Sequence, residues 1–313
     1  MSHGPQFEIE KTLPDSVIAG ISQSWTFDLW IITPLLLTAG VYLRGWWQLH
    51  RRLPHRFGVG RLIAFQGGLF TLFLALASPL HELAEQLLQF HMIQHMLLMM
   101  VVPPLLLLGG PLLPLLRGLP RSLLQSAIRP LFASAPLQRL GRFLTHPLVC
   151  LLAFTVSTVA WHVPGLYETA LQSEFWHDVQ HICFLGTGLL FWWPVVQPWP
   201  SRLRWPRWAM IPYLLFADIQ NTALSAFLVF SERVLYPTYA AVPRLWGISA
   251  LDDQAAAGAI MWVPGSVIFL IPVAVLAIRL LDSPRTRSAR EKNNFNQDHE
   301  VYDQKHPNPS FPS

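Results

Sequence analysis

The stretch QLLQFHMIQHMLLMMVVPPLLLL, residues 86–108, decides the fold of this chain. Its 23 residues include no Asp, Glu, Lys or Arg. About 20 predominantly apolar residues are enough to cross roughly 30 Å of hydrocarbon as a helix. Six further stretches of this kind lie around it, at Phe27 to Trp46, Leu62 to Pro79, His146 to Pro164, Trp176 to Val196, Trp208 to Phe230 and Gly258 to Leu280. Each is expected to be helical, because lipid offers no partner for backbone amides and no ten-residue alternation suggests a barrel. The composition agrees: 52% of residues are hydrophobic and 13% charged, whereas soluble domains carry about 25% charge. The expected class is an all-α integral membrane protein with seven transmembrane helices.

The segments between the spans carry Lys and Arg in alternation. The first, third and fifth connections and the tail hold nineteen of them, and the remaining segments hold three. The positive-inside rule then places the N-terminus outside and the C-terminus in the cytoplasm, in a multi-pass topology. The chain divides into an extracytoplasmic segment 1–24, a membrane domain 25–281 and a disordered, Pro/Asn-rich cytoplasmic tail 282–313. The first 24 residues lack the pattern of a cleavable signal. The third connection, Leu112 to Leu144, has five Arg and repeated Pro, and is expected to form short amphipathic pieces on the leaflet. The arginines sit in separate clusters rather than along one stripe, which argues against a nucleic-acid partner.

Polar groups inside spans are costly, so their positions carry information. With the topology imposed they gather toward the outer ends: His91 and His95, then His162, then His177 and His181, then Asp253 just ahead of the last span with Met261 one turn into it. His91/His95 and His177/His181 are i, i+4 pairs, each on one helix face. Two such pairs, with His162 from a third helix, suit a metal site at a depth of ~5–15 Å. Met92 and Met96 accompany the histidines, and thioether sulfur favours Cu(I). The structural alternatives are that a lone span His packs against a neighbour, that methionines fill gaps, and that Asp252 and Asp253 are a solvated loop or cap the last helix. The roles of Asp28 and Asp218 stay open between orienting a histidine and bonding another helix. Cys150 and Cys183 form no paired motif.

Four segments in order resemble a known family. They are SPLHELAEQLLQFHMIQHMLLMMVVPPLLLLGGP (78–111), WHVPGLYETAL (161–171), HDVQHICFLGTGLLFWWPV (177–195) and DDQAAAGAIMWVPG (252–265). The chain resembles the multi-pass CtaG family of cytochrome c oxidase assembly factors, distinct from the single-span copper protein that shares the name. The resemblance implies a seven-span protein of the bacterial plasma (inner) membrane, needed for making active haem–copper oxidase and proposed to handle copper for it. The family's HMxQHM, WHxP, HxxQH and DQxxGxxMW motifs fall on His91, Met92, Gln94, His95 and Met96; Trp161, His162 and Pro164; His177, Gln180 and His181; and Asp253, Gln254, Gly258, Met261 and Trp262. Family members often carry Asp after SPL, where this chain has His81.

The leading expectation is therefore a non-enzymatic assembly factor. It would bind Cu(I) through His91, His95, His162, His177, His181, Met92, Met96, Met261 and Asp253, receive it from an extracytoplasmic copper donor and pass it to an oxidase subunit. The alternative is an electron-transfer protein holding a b-type haem by bis-His ligation. No GxSxG, HExxH or Walker-type loop is present.

Overall fold

The computed structural model describes Trp25 and residues 28–201, 205–242 and 245–282. The expected segment 1–24, and the tail beyond Asp282, lie outside the described residues. Among the described residues every regular element is a helix. Six helices are long and apolar enough to cross a membrane: Leu29–Arg52, Val59–Ala77, Leu88–Leu108, Glu174–Val196, Arg207–Phe230 and Ala250–Leu281. A seventh span is counted if Ala135–Leu144 and Pro147–Trp161, bent by 65° at their junction, are taken together. The protein is a multi-span membrane protein. Large apolar side chains such as Trp30, Ile182 and Phe230 are 71–86% exposed, which suits a lipid-facing surface and not a water-facing one.

The fourth span is shorter than expected. Pro147 opens its straight part, and fifteen residues at about 1.5 Å each rise only about 22 Å. His146 is its N-terminal flanking residue, with extended backbone, and lies outside the helix. The last span starts eight residues earlier than its apolar run. Ser249 caps it by accepting from the Asp252 amide at 3.1 Å, and its hydroxyl donates to the Asp252 carboxylate at 2.6 Å. Asp252 and Asp253 are thus in the first turn of this 32-residue helix and not in a loop ahead of it. The first helix is capped as well, by Asp28, which accepts from the Trp30 amide at 2.9 Å.

The third connection does form short helices, but the first of them is not a leaflet element. Leu112–Gly118 packs into the first span through two glycines: a Cβ on Gly45 would collide with the Pro114 carbonyl, and one on Gly118 with the Val41 carbonyl. Only glycine allows backbones this close. The pieces that follow, up to Leu144, have no fully buried side chain.

The third span is not a uniform α-helix. Leu88–Met96 and Val102–Leu108 are α-helical, and Leu97–Val101 between them is a π-turn. Pro103 and Pro104 lack amide hydrogens, so the carbonyls one turn earlier lose their usual donors and the ladder widens. The Met99 carbonyl is satisfied instead by Trp192 Nε1 at 3.1 Å. At the same level Gly188 meets the third span, where an added Cβ would lie 2.9 Å from the Met99 oxygen and 2.9 Å from Pro103 Cγ. Below the histidines an aromatic core binds the spans: Phe154 stacks on Phe191 at 4.3 Å, and Phe191 on Tyr213 at 4.9 Å.

Candidate metal centre

The contact between Gly188 and Met99 is one turn from His95 and two turns from His181. Beyond it the third and fifth spans diverge toward the histidine-bearing end. The wedge that opens is filled by imidazoles. His91 and His95 lie 4.2 Å apart between ring centroids, and His177 and His181 4.1 Å apart. The pairs face each other in register, His91 to His177 at 5.2 Å and His95 to His181 at 5.7 Å. One ligand atom from each of the four lies within 4.8 Å of every other.

Hydrogen-bond accounting fixes how the nitrogens point. The amides of Leu88 and Gln89, at the start of the third span, are taken by the two Asp253 carboxylate oxygens at 2.7 and 3.1 Å. The Ala84 carbonyl, one turn before Leu88, thereby loses its helical donor and accepts from the Tyr239 hydroxyl at 2.8 Å. That hydroxyl has spent its only proton, so it accepts from His91 Nδ1–H at 2.7 Å. The Nε2 lone pair of His91 is then the one aimed into the cluster, 2.8 Å from His95 Nε2. His162 is set in the same way: Nδ1–H donates to the Thr158 carbonyl at 2.7 Å, leaving Nε2 as the bare acceptor.

Several of these nitrogens are buried with nothing to bond. His95 Nδ1, His162 Nε2, His177 Nε2 and His181 Nε2 have no hydrogen-bond partner. Buried polar atoms are nearly always partnered, so such a concentration at one point fits a site made for an electron-pair acceptor. The distances fit as well. Imidazole nitrogen sits about 2.0–2.1 Å from a zinc-sized ion, which puts tetrahedral ligands about 3.3 Å apart. The His91–His95 pair would open by about half an ångström to reach that value, and the wider pairs would close.

The other sequence candidates are placed differently. His162 is not in the four-imidazole group; its ring is 6.4 Å from Tyr167 and 6.3 Å from Phe184, two rings that also line the cluster. Asp253 is almost fully buried, with both oxygens on helix amides rather than in the group. Its neighbour Gln254 accepts from the Leu235 amide at 2.7 Å and so ties residues 231–235 to the last span. Met92, Met96 and Met261 are buried in the main apolar core. Met92 and Met96 each follow a clustered histidine by one residue, about 100° around the helix from it. His81, by contrast, stacks on His177 at 5.6 Å and lies 3.3 Å from Gln94 Nε2. Asp218 is half-buried in the sixth span, with one carboxylate oxygen buried and unbonded.

Sequence reasoning missed the tyrosines that roof the site. Tyr167, on the short helix Pro164–Leu171, lies 5.3 Å from the His91 ring and stacks on Tyr236 at 4.0 Å. The Tyr236 hydroxyl donates to the His162 carbonyl at 3.0 Å. Tyr239 comes from the helix Pro237–Ala241, which is held to the first roof helix by Thr238 donating to the Glu168 carboxylate at 2.6 Å. Burial raises the ionisation of Tyr167 and Tyr239 well above the ordinary phenol value, so both remain neutral.

Comparison with known proteins places the chain in a family. Residues 40–283 match the family model described as cytochrome c oxidase caa3 assembly factor. Uncharacterized proteins of Mycobacterium bovis and Mycobacterium tuberculosis are each 29% identical to this chain over 294 residues, which is 90% of this chain and 43% of theirs. An uncharacterized protein of Mycobacterium leprae is 29% identical over 262 residues, 82% of this chain and 39% of the relative. The chain thus spans less than half the length of these relatives. No solved structure matches it.

Proposed function

The chain belongs to the cytochrome c oxidase caa3 assembly factor family, and from that premise we propose that it carries Cu(I) as cargo for the oxidase. The cargo site is the cluster of His91, His95, His177 and His181, with His162 Nε2 as a fifth donor. The single observation that carries this reading is the convergence of four imidazoles from two helices within 4.8 Å, held in a wedge that the π-turn and Gly188 create. Neutral imidazoles are compatible with Cu(I) and bind it without the grip of a thiolate cluster, which suits a carrier that must also release. The Met92 and Met96 sulfurs offer soft donors in the adjoining core.

The positive-inside distribution orients the protein with its histidine end away from the cytoplasm, in the bacterial plasma membrane. A donor outside the cytoplasm would load the site, and an oxidase subunit docked at the roof formed by Pro164–Leu171 and Pro237–Ala241 would receive the ion. Its role is that of a chaperone and not of a catalyst.

The geometry favours an ion over a haem. All four imidazoles converge on one point, with ligand atoms within 4.8 Å of one another, which suits one ion shared by the four better than a haem held by a single pair of rings on facing helices. The test is elemental analysis with absorption spectroscopy on purified protein. About one copper per chain without a Soret band is expected, together with loss of copper and of oxidase activity in His91→Ala/His95→Ala. Unchanged oxidase activity in that double variant would refute the proposal.

A further inference from the structure

At the end of the molecule opposite the histidines, the connections between spans carry charge of one sign. Segments 29–81, 86–167 and 179–217 contain no Asp or Glu, so the first, third and fifth connections supply no carboxylate to their own arginines. Cations without internal partners draw anions from outside. Most of these arginines lie on open surface, where solvent screens them.

Two of them do not. Arg56 and Arg61 line a cavity of about 660 Å³ together with His55, Gly58, Leu108 and Trp199. Arg56 is laid over the Trp199 ring at 5.2 Å and Arg61 over the Phe57 ring at 5.3 Å, so both guanidiniums are held by aromatic faces. Gly110, with a positive φ of 59°, leaves the space that the Arg61 guanidinium enters. The helix Val59–Ala77 begins at this cavity, and its flanking residue Gly58 provides no side-chain cap, so the first-turn amides and the positive helix end face the same space. The lip is apolar: Leu108 is 54% exposed and Trp199 37%.

Trp199 also forms one wall of a second cavity, of about 450 Å³, which contains Arg207 and Arg279. Two basic cavities therefore share one indole at the arginine-rich end. Guanidinium forks match phosphate oxygens in pairs, the helix start adds amide donors, and exposed tryptophan and leucine at the rim suit the glycerol and acyl region of a lipid.

We infer that the cavity between Arg56, Arg61 and Trp199 binds the phosphate of an anionic phospholipid headgroup. The lipid then supplies the anion that these connections do not, and it clasps the first connection to the fifth across Trp199. The inference is independent of the metal site and does not rely on the oxidase reading.

The experiment uses delipidated full-length protein in detergent, titrated with phosphatidylglycerol, phosphatidylcholine or inorganic phosphate and read by native mass spectrometry. Phosphatidylglycerol is expected to bind saturably and phosphatidylcholine not. Arg56→Gln/Arg61→Gln is expected to weaken phosphatidylglycerol by about thirtyfold, roughly fivefold per arginine. The charge-matched variant Arg121→Gln/Arg129→Gln, on the exposed third connection, should change it less than about twofold. Arg56→Gln alone, which leaves Arg61 packed on Phe57, covers a folding failure of the double variant and should show the single fivefold loss. Saturable binding of inorganic phosphate with the same arginine dependence, and none of phosphatidylglycerol, would support the phosphate site but overturn the lipid source. Equal binding of the two lipids, or equal losses in both double variants, would overturn the site itself.

Discussion

Tyr239 and His91 are 148 positions apart in the chain, yet the tyrosine hydroxyl is 2.7 Å from the imidazole Nδ1. Because the same hydroxyl donates to the Ala84 carbonyl, it can only accept from His91, and that fixes which imidazole nitrogen is left for a metal. Tyr239→Phe keeps the ring and deletes this control. Partners of this kind typically contribute about 10–100-fold to metal affinity. Copper competition titrations should show a loss in that range, with the far-ultraviolet circular dichroism unchanged.

Asp253→Ala separates a capping residue from a ligand. The change strands the buried Leu88 amide, at about 1–3 kcal/mol for an unsatisfied group, and frees the half-buried Gln89 amide at a smaller cost. A lower melting temperature with copper still bound stoichiometrically is expected. Loss of copper from an equally stable variant would instead make Asp253 a ligand.

Gly188→Ala probes the wedge. Its new Cβ would press on the Met99 carbonyl and Pro103, and overpacking of this sort costs about 1–3 kcal/mol. The third and fifth spans should be forced apart and copper affinity should fall, even though no ligand is altered. Gly186→Ala, with open space around its Cβ position, is the matched control and should bind as the unmodified chain does.

Copper should also stabilise the fold by mass action. At a free concentration of one hundred times Kd the gain is about 2.7 kcal/mol, visible as a rise in Tm. The rise should vanish in His177→Ala/His181→Ala. A similar rise in that variant would place the ion elsewhere.

The sequence made the bundle and the four imidazoles legible for one physical reason. Apolar length and i, i+4 spacing are local properties, so the spans and the pairs His91/His95 and His177/His181 can be read from short windows. What was not legible depends on distant partners. Asp253 looked like a ligand because its actual partners, the Leu88 and Gln89 amides, lie 165 and 164 positions away. Tyr239 stands in a connection with no periodicity to mark it. The start of the last span was missed by following the apolar run from Gly258, although Ser249 followed by Asp252 three residues later is a readable capping pattern. The π-turn had its signal in Pro103 and Pro104, but the sequence alone did not show that Trp192 and Gly188 would meet the widened ladder there.

The Asp253 clamp also bears on how the protein is made. Spans enter the membrane in order, and all four imidazoles are present once the fifth is in place. Yet the carboxylate that anchors the first amides of the third span, and the glutamine that ties down the segment leading to Tyr239, both arrive on the later helix Ala250–Leu281. A nascent chain held short of Ala250 would carry every donor atom but no keystone. The order of the spans therefore carries its own check: until the helix Ala250–Leu281 packs against the third span, the imidazoles stand in a half-built cage.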